Sequence, residues 1–257
     1  MPDRTDVTSE LWDAPALARR LGVEVVAHGR IGSTMEEARK VPTAPVIHLA
    51  DEQLAGRGRH GRTWASPPGN LYATIAWPDP GARIPPAVLA AVQAEITGAV
   101  RRAGGLSLRC KWPNDGFAED GKWCGLLAEH DRREGDRLLI GIGANLERVP
   151  AGPKLEATAL RAHWKPWPGR VAAAETILSA ALSLLREGEP GIRRGLARWP
   201  DLDLWPIGAH LRVETGDRVL AGRYGGVSSD GRLVLETADE VVLVGAGEAR
   251  RARRQRA

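Results

Sequence analysis

Two cysteines in 257 residues, Cys110 and Cys124, are too few for a disulfide framework, and without CxxC or Cys/His spacing they make no zinc motif. Apolar runs are short: Val171 to Leu185, the most apolar long segment, is interrupted by Glu175, Thr176, Ser179 and Ser183 and falls short of the ~20 residues of a membrane span. Met1 to Glu10 is polar and acidic, so no secretory leader is expected and a reduced cytoplasm is the expected compartment. The six histidines show neither HxxH nor HExxH spacing, and no metal ligand is assigned. Lysine is also scarce, since only Lys40, Lys111, Lys122, Lys154 and Lys165 stand among 36 basic residues. A lysine among chemically suggestive neighbours therefore attracts interest.

What is present describes a globular chain. Hydrophobic residues at 43% and charged residues at 26% support a real core, and the length suits one large domain with a small appendage. Thirty glycines and eighteen prolines promise long ordered loops. The net charge of +4 invites the idea of a nucleic-acid partner. Five arginines at the extreme C-terminus (Arg250, Arg251, Arg253, Arg254, Arg256) outweigh that excess, so the body of the chain is no polycation.

Helical spacing of apolar residues from Ser9 to Leu21, closed by Gly22, predicts a first helix, and Val23 to Val26 a strand. Ser33 with Glu36 three residues later is a capping-box pattern opening a short helix to Lys40. Val46 to Leu49 and Leu71 to Trp77 read as strands flanking a polar Gly/Arg loop from Gln53 to Gly69. Pro85-Pro86 opens a helix to Ala103, stopped by Gly104-Gly105. Leu106 to Cys110, Lys122 to Glu129 and Arg137 to Leu146 read as extended, then Val171 to Arg186 and Ile192 to Ala197 as helices. After Pro206, short strands (His210–Glu214, Arg218–Arg223, Gly226–Val227, Arg232–Glu236, Val241–Val244) alternate with Gly-Asp and Asp-Gly turns in the manner of a small β-barrel. The expected class is α+β: a mixed β-sheet with flanking helices over 1–206, a β-barrel over 207–250 and a disordered basic tail over 251–257.

Three segments carry chemical interest. Gly56-Arg-Gly-Arg-His-Gly61 matches GxGxxG, with Asp79 further on, but a dinucleotide fingerprint needs a helix directly after the glycines. Here Arg62-Thr-Trp-Ala-Ser-Pro-Pro-Gly-Asn70 follows, and its two prolines bar that reading. What remains is a flexible loop whose amides and three cations, Arg57, Arg59 and Arg62, suit a phosphate or carboxylate; the alternative is a solvated basic loop. In Lys111-Trp-Pro-Asn-Asp115 a tight turn accounts for Pro113 to Gly116, yet not for a scarce lysine beside a tryptophan at a strand end, where α/β folds often bind ligands. Ile140-Gly-Ile-Gly-Ala-Asn145 sets two glycines in an apolar strand, which costs stability unless something approaches closely.

In content, order and spacing, the run Gln53 to Tyr72, then Lys111 to Asp115, then Gly125-Leu-Leu-Ala-Glu129, then Gly141 to Asn145, resembles the biotin protein ligase family. The resemblance extends from Ser33-Thr34 to the C-terminal strands, which look like the family's Src-homology-like domain. It implies activation of biotin by MgATP to biotinyl-5′-adenylate with release of pyrophosphate. Transfer to a lysine of the biotin carboxyl carrier protein of acetyl-CoA carboxylase would follow. By that likeness Arg59 and Lys111 are catalytic. Biotin would meet Ser33, Thr34, Met35, Gln53, Arg57, Gly58, Arg59 and Lys111, and the nucleotide would meet Arg59, Arg62, Trp64, Lys111, Asn114 and Asn145. No residue is assigned to Mg²⁺. The residue types suit the reaction, because a carboxylate attacking an α-phosphate brings two anions together and fixed cations offset the repulsion. Neutral donors and acceptors suit a neutral ureido ring.

This sequence departs from the family pattern at Met35, where Asn is common, at His60, where Arg is frequent, and at Cys124, where Gly is usual. About 30 residues before Ser33-Thr34 leave no room for a winged helix-turn-helix, so a form without operator recognition is expected, with neither sequence-specific DNA nor a membrane as partner. Homodimerisation stays open. The rivals are a lipoate or octanoate protein ligase or transferase and a non-enzymatic basic β-barrel protein.

Overall fold

The computed structural model describes residues 9, 11–41, 44–78, 86–132, 136–150, 156–216 and 218–251. Its first helix, α1 (Ala14–Leu21), begins five residues later than the apolar spacing suggests. The Asp13 carboxylate caps the Ala16 amide at 2.9 Å and Pro15 belongs to the first turn, so both fix the start. Ser9 instead accepts the Trp12 amide at 2.9 Å and donates to Asp51 at 2.7 Å.

The chain continues through β1 (Glu24–Ile31), α2 (Thr34–Lys40), β2 (Val46–Gln53), β3 (Leu71–Pro78) and α3 (Pro86–Gly104). Strands β4 (Arg109–Lys111), β5 (Asp115–Ala118), β6 (Gly121–Asp131) and β7 (Arg137–Ala144) follow, then α4 (Leu160–His163), α5 (Arg170–Glu187), α6 (Glu189–Ala197) and α7 (Trp199–Leu202). Seven strands form one mixed sheet in the order β1-β2-β3-β7-β6-β5-β4, with β1 and β2 parallel and the other neighbours antiparallel. The mixed sheet with flanking helices is the expected main architecture.

Alternation along the strands divides its two faces. Ile47, Leu49 and Ile75 point into the main core with Val92 and Ile96 of α3 and Leu178 of α5. Val46 and Ala76 face the other way, where Met35 and Ala38 of α2 join them and Leu139 in a small second cluster. Cys110 and Cys124 are fully buried free thiols. Burial pushes Cys110 up to about 12 and raises Cys124 as well, so both are inert fillers.

Strands β8 (His210–Thr215), β9 (Arg218–Val227), β10 (Leu233–Glu236), β11 (Val241–Val244) and β12 (Glu248–Arg251) build a second sheet. It is antiparallel, in the order β11-β10-β9-β8-β12. The expected barrel does not close: β11 and β12 remain edges. The two short strands expected between Arg218 and Val227 are one strand, with an irregularity opposite Val234/Leu235. Arg251, expected in the tail, pairs with Leu211 as the last residue of β12; 252–257 lie outside the described residues. The second sheet docks on the first through its turns. Trp112 Nε1 donates to the Gly231 carbonyl at 2.9 Å. Gly231 itself has φ +78°, and a Cβ there would lie 2.3 Å from the Ala87 nitrogen, so only glycine fits.

Candidate active site

On the face of the main sheet that carries α2 lies a cavity of about 200 Å³. Its floor is made by Thr74 of β3, Gly125 of β6 and Gly141 and Gly143 of β7. Three glycines leave the sheet bare there, and side chains from elsewhere fill the space. A Cβ on Gly143 would meet the Trp64 indole at 2.5 Å, one on Gly125 would meet Lys122 and Trp64 at 3.0 Å, and one on Gly141 would meet Met35 Cε at 3.0 Å.

One end of the cavity is neutral and polar. Ser33 caps α2 by accepting the Met35 amide at 3.3 Å. The reciprocal half of the expected capping box is missing, because Glu36 turns away to Arg39 at 2.5 Å and to Arg57. Gln53, the last residue of β2, accepts from the Thr34 amide at 2.9 Å and the Thr34 hydroxyl at 3.1 Å, and donates to Ser66 at 3.1 Å. Thr34 and Thr74 share a hydroxyl hydrogen bond of 2.8 Å. Donors and acceptors thus line a buried end that holds no charge.

The other end is cationic, and the Gly/Arg loop supplies most of it. No helix follows Gly61, in keeping with the rejected dinucleotide reading; a single 3₁₀ turn, Arg59–Gly61, is followed by extended chain. Bridges Arg57↔Thr63 and Gln53↔Ser66 and a 2.7 Å bond from the Gly58 amide to the Arg62 carbonyl fold the loop back on itself. His60, at φ +56°, makes the tip in a conformation that usually belongs to glycine. Each loop arginine is held by a different element. Arg57 pairs with Glu36 of α2, and Arg59 donates to Asn114 Oδ1 at 3.1 Å and to the Gly247 carbonyl at 3.2 Å. Arg62 pairs with Glu248 of β12 at 2.9 Å. Lys111 ends β4, and Lys122 bridges Asp115 at 2.6 Å while lying 5.0 Å above the Trp64 ring.

Burial lowers the Lys111 ammonium below the ordinary lysine range although Asp115 and Glu248 pull it back, and burial likewise lowers Arg59. Burial would raise Glu248, yet Arg62 and Arg250 hold its carboxyl below the usual value. Cations whose charge the site itself disfavours are poised for an anionic ligand.

Ser33, Thr34, Met35, Gln53, Arg57, Gly58, Arg59, Arg62, Trp64, Lys111 and Asn114 all line this cavity. Asn145 does not: it is buried behind β6, its amide donating to the Trp123 carbonyl at 2.7 Å and its side chain to the Lys122 carbonyl at 3.4 Å. Thr74, Lys122, Gly247 and Glu248 line the cavity as well and were not singled out as site residues. Lys122 carried a signal, as another of the rare lysines in reach of the Lys-Trp-Pro-Asn-Asp turn. The other three carried none.

A model of the Biotin/lipoate A/B protein ligase family matches residues 30–146. Over 233 residues the chain is 30% identical to the bifunctional ligase/repressor BirA of Bacillus subtilis (strain 168), covering 84% of this chain and 70% of that one. The chain belongs to the biotin/lipoate protein ligase family. It is also 34% identical over 202 residues to the bifunctional ligase/repressor BirA of Escherichia coli (strain K12), covering 73% of this chain. The match spans 60% of the length of that relative. The fold is shared with a biotin protein ligase from Aquifex aeolicus in complex with biotin and ATP, at a TM-score of 0.76 and 23% identity, over 89% of this chain and 99% of that one. The family match ends at residue 146, so Gly247 and Glu248 reach the cavity of this family member from outside the matched segment.

Proposed function

We propose that this chain is a biotin protein ligase that joins biotin to ATP as biotinyl-5′-AMP and then to a lysine of the biotin carboxyl carrier protein of acetyl-CoA carboxylase. The observation that carries this reading is the polarity of one cavity, neutral hydrogen-bonding groups at the Thr34–Gln53–Thr74 end and Arg57, Arg59, Arg62, Lys111 and Lys122 at the other. A ureido ring uses the first; a carboxylate and an α-phosphate use the second. In the first step a biotin carboxylate oxygen bonds to the α-phosphorus and pyrophosphate leaves. Arg59 and Lys111 would stabilise charge gathering on the phosphoryl oxygens, while the Gly58 loop and Trp64 would keep water from the anhydride. In the second, the carrier lysine's neutral amine attacks the acyl carbon and AMP departs. Ser33, Thr34, Met35 and Gln53 would hold biotin, and Arg62, Trp64 and Asn114 the nucleotide. Asn145 would act only through Lys122, whose carbonyl it holds.

Mg²⁺ enters as part of the nucleotide substrate, bound mainly through phosphates and one or two carboxylates. Among the described residues no group of three or more His, Cys, Asp or Glu is arranged to hold a metal ion; Asp115, paired with Lys122 at 2.6 Å, and Glu248 are carboxylates that line the cavity. No helix among the described residues is long and apolar enough to cross a membrane. In this reading 1–206 carry catalysis in the cytoplasm and the segment from 207 is the appendage that closes the arginine loop.

A lipoyl or octanoyl chain has no ureido group to use the remaining hydrogen-bonding capacity of Thr34, Gln53 and Thr74, which disfavours that rival. Incubation with biotin, MgATP and a biotin carboxyl carrier domain is expected to add one biotinyl group to the carrier lysine, read by mass spectrometry. No adduct, or a lipoyl adduct in competition, would overturn the proposal.

A further inference from the structure

Helix α2 is seven residues long and would be marginal alone. It offers the core only Thr34, Met35 and Ala38 as buried residues. Its first turn makes the neutral end of the cavity, through Ser33, Thr34 and Met35. Its last turn, like that of any helix, leaves carbonyls that no helical amide reaches. The Ala38 carbonyl is one of these, and the residue four positions on, Pro42, has no N–H with which to serve it. Val41, the C-cap, is extended rather than left-handed, so no glycine cap serves the end either.

Arg137, the first residue of β7, fills this deficit. Its guanidinium donates to the Ala38 carbonyl at 3.3 Å and to the Val41 carbonyl, and its other terminal nitrogen pairs with Asp131 of β6 at 2.5 Å. Both side chains are only 4% exposed. A cation at a helix C-terminus also complements the helix dipole. Arg39 ties α2 to Glu129 as well, but that pair is partly exposed and contributes little by comparison.

We propose that Arg137, held by Asp131, is a positioning residue for the substrate slot: it fixes the far end of α2 and so sets how tightly Ser33, Thr34 and Met35 grip the neutral end of the acyl substrate. The proposal rests on the biotin ligase reading. Arg137 is not among the residues that line the cavity; it acts through a helix about 10 Å long.

The test uses the whole chain and compares Arg137→Met, Arg137→Lys and the double variant Arg137→Met/Asp131→Leu. Arg137→Met takes the guanidinium away from the buried Asp131 carboxylate and risks unfolding; the double variant removes both charges and is expected to keep its melting temperature. In the double variant the biotin dissociation constant and KM are expected to rise roughly tenfold or more, with kcat and the KM for ATP within twofold of wild type. Arg137→Lys, which restores a donor, is expected to recover part of the affinity. Unchanged biotin affinity in a folded double variant overturns the inference, and so does an equal loss for biotin and ATP, the mark of general loosening. Failure of the wild-type chain to bind biotin would overturn the ligase reading instead, and is seen before any variant is made.

Discussion

The indole of Trp64 lies directly over Gly143: a methyl group built on that glycine would come within 2.5 Å of Cε2 and 2.6 Å of Nε1. The second glycine of the Gly-Ile-Gly strand is therefore the floor on which the roof of the site rests. Two segments far apart in sequence specify one contact.

Gly143→Ala should displace Trp64, whereas the one tight contact of Gly141→Ala is with the flexible end of Met35 at 3.0 Å. Overpacking a rigid ring costs about 1–3 kcal/mol. The expected result is a clear rise in the KM for ATP with Gly143→Ala and a small effect with Gly141→Ala. Equal effects in steady-state kinetics would show that Trp64 does not shape the nucleotide end.

Arg59→Ala and Lys111→Ala are each expected to slow adenylate formation by roughly 10²–10³. Both cations are destabilised by burial in the free protein, so their removal should shift the melting temperature by only a few degrees or raise it. Pyrophosphate release and thermal melts separate the two effects.

Thr74→Val removes the hydroxyl that Thr34 meets at 2.8 Å and keeps the shape of the side chain. The KM for biotin should rise several-fold with kcat nearly unchanged, since a ground-state contact is lost along with its hydrogen-bond network. A fall in kcat at constant KM would place Thr74 in the wrong step.

Two buried groups act on stability in mild acid with opposite signs. Burial, His28 and Arg137 push His48 down to about 4, so the unfolded chain takes up this proton first as pH falls below about 6.5, and this contribution to stability is lost toward pH 4. Burial raises Asp203 to about 6, although Tyr224, at 2.5 Å, and Trp199 donate to it. The folded chain therefore keeps that proton to higher pH, and its stabilising contribution is lost as pH rises from about 4 through 6. In melts between pH 4 and 6.5 the two contributions oppose one another. Asp203→Asn should steepen the rise of melting temperature with pH, and His48→Gln should reverse or flatten it; no change of slope in either variant would contradict these environments.

Legibility differed from element to element. The ends of α3 and the cap of α2 were readable because Pro86, Gly104 and Ser33 act on their own neighbours. Strand β1 runs five residues past the expected Val26, through His28, Gly29 and Arg30, because pairing with β2, not local composition, extends it to Ile31. Strand β12, Glu-Ala-Arg-Arg, has no strand signature and exists because β8 offers an open edge. The open second sheet was likewise invisible, since closure depends on whether β11 and β12 meet.

The chemistry on offer is written along the chain: which loop holds the arginines, which rare lysine ends a strand, and which glycines leave a sheet face bare. Those are properties of residue type and spacing, and they survive any reading of the fold. Which groups meet is a matter of the folded chain. Thr74 reaches Thr34 across forty residues, Arg59 reaches Gly247, and Arg137 takes the place of the amide that Pro42 lacks. Such pairings satisfy buried donors and acceptors at long range, and no local pattern encodes a partner that the chain finds only by folding.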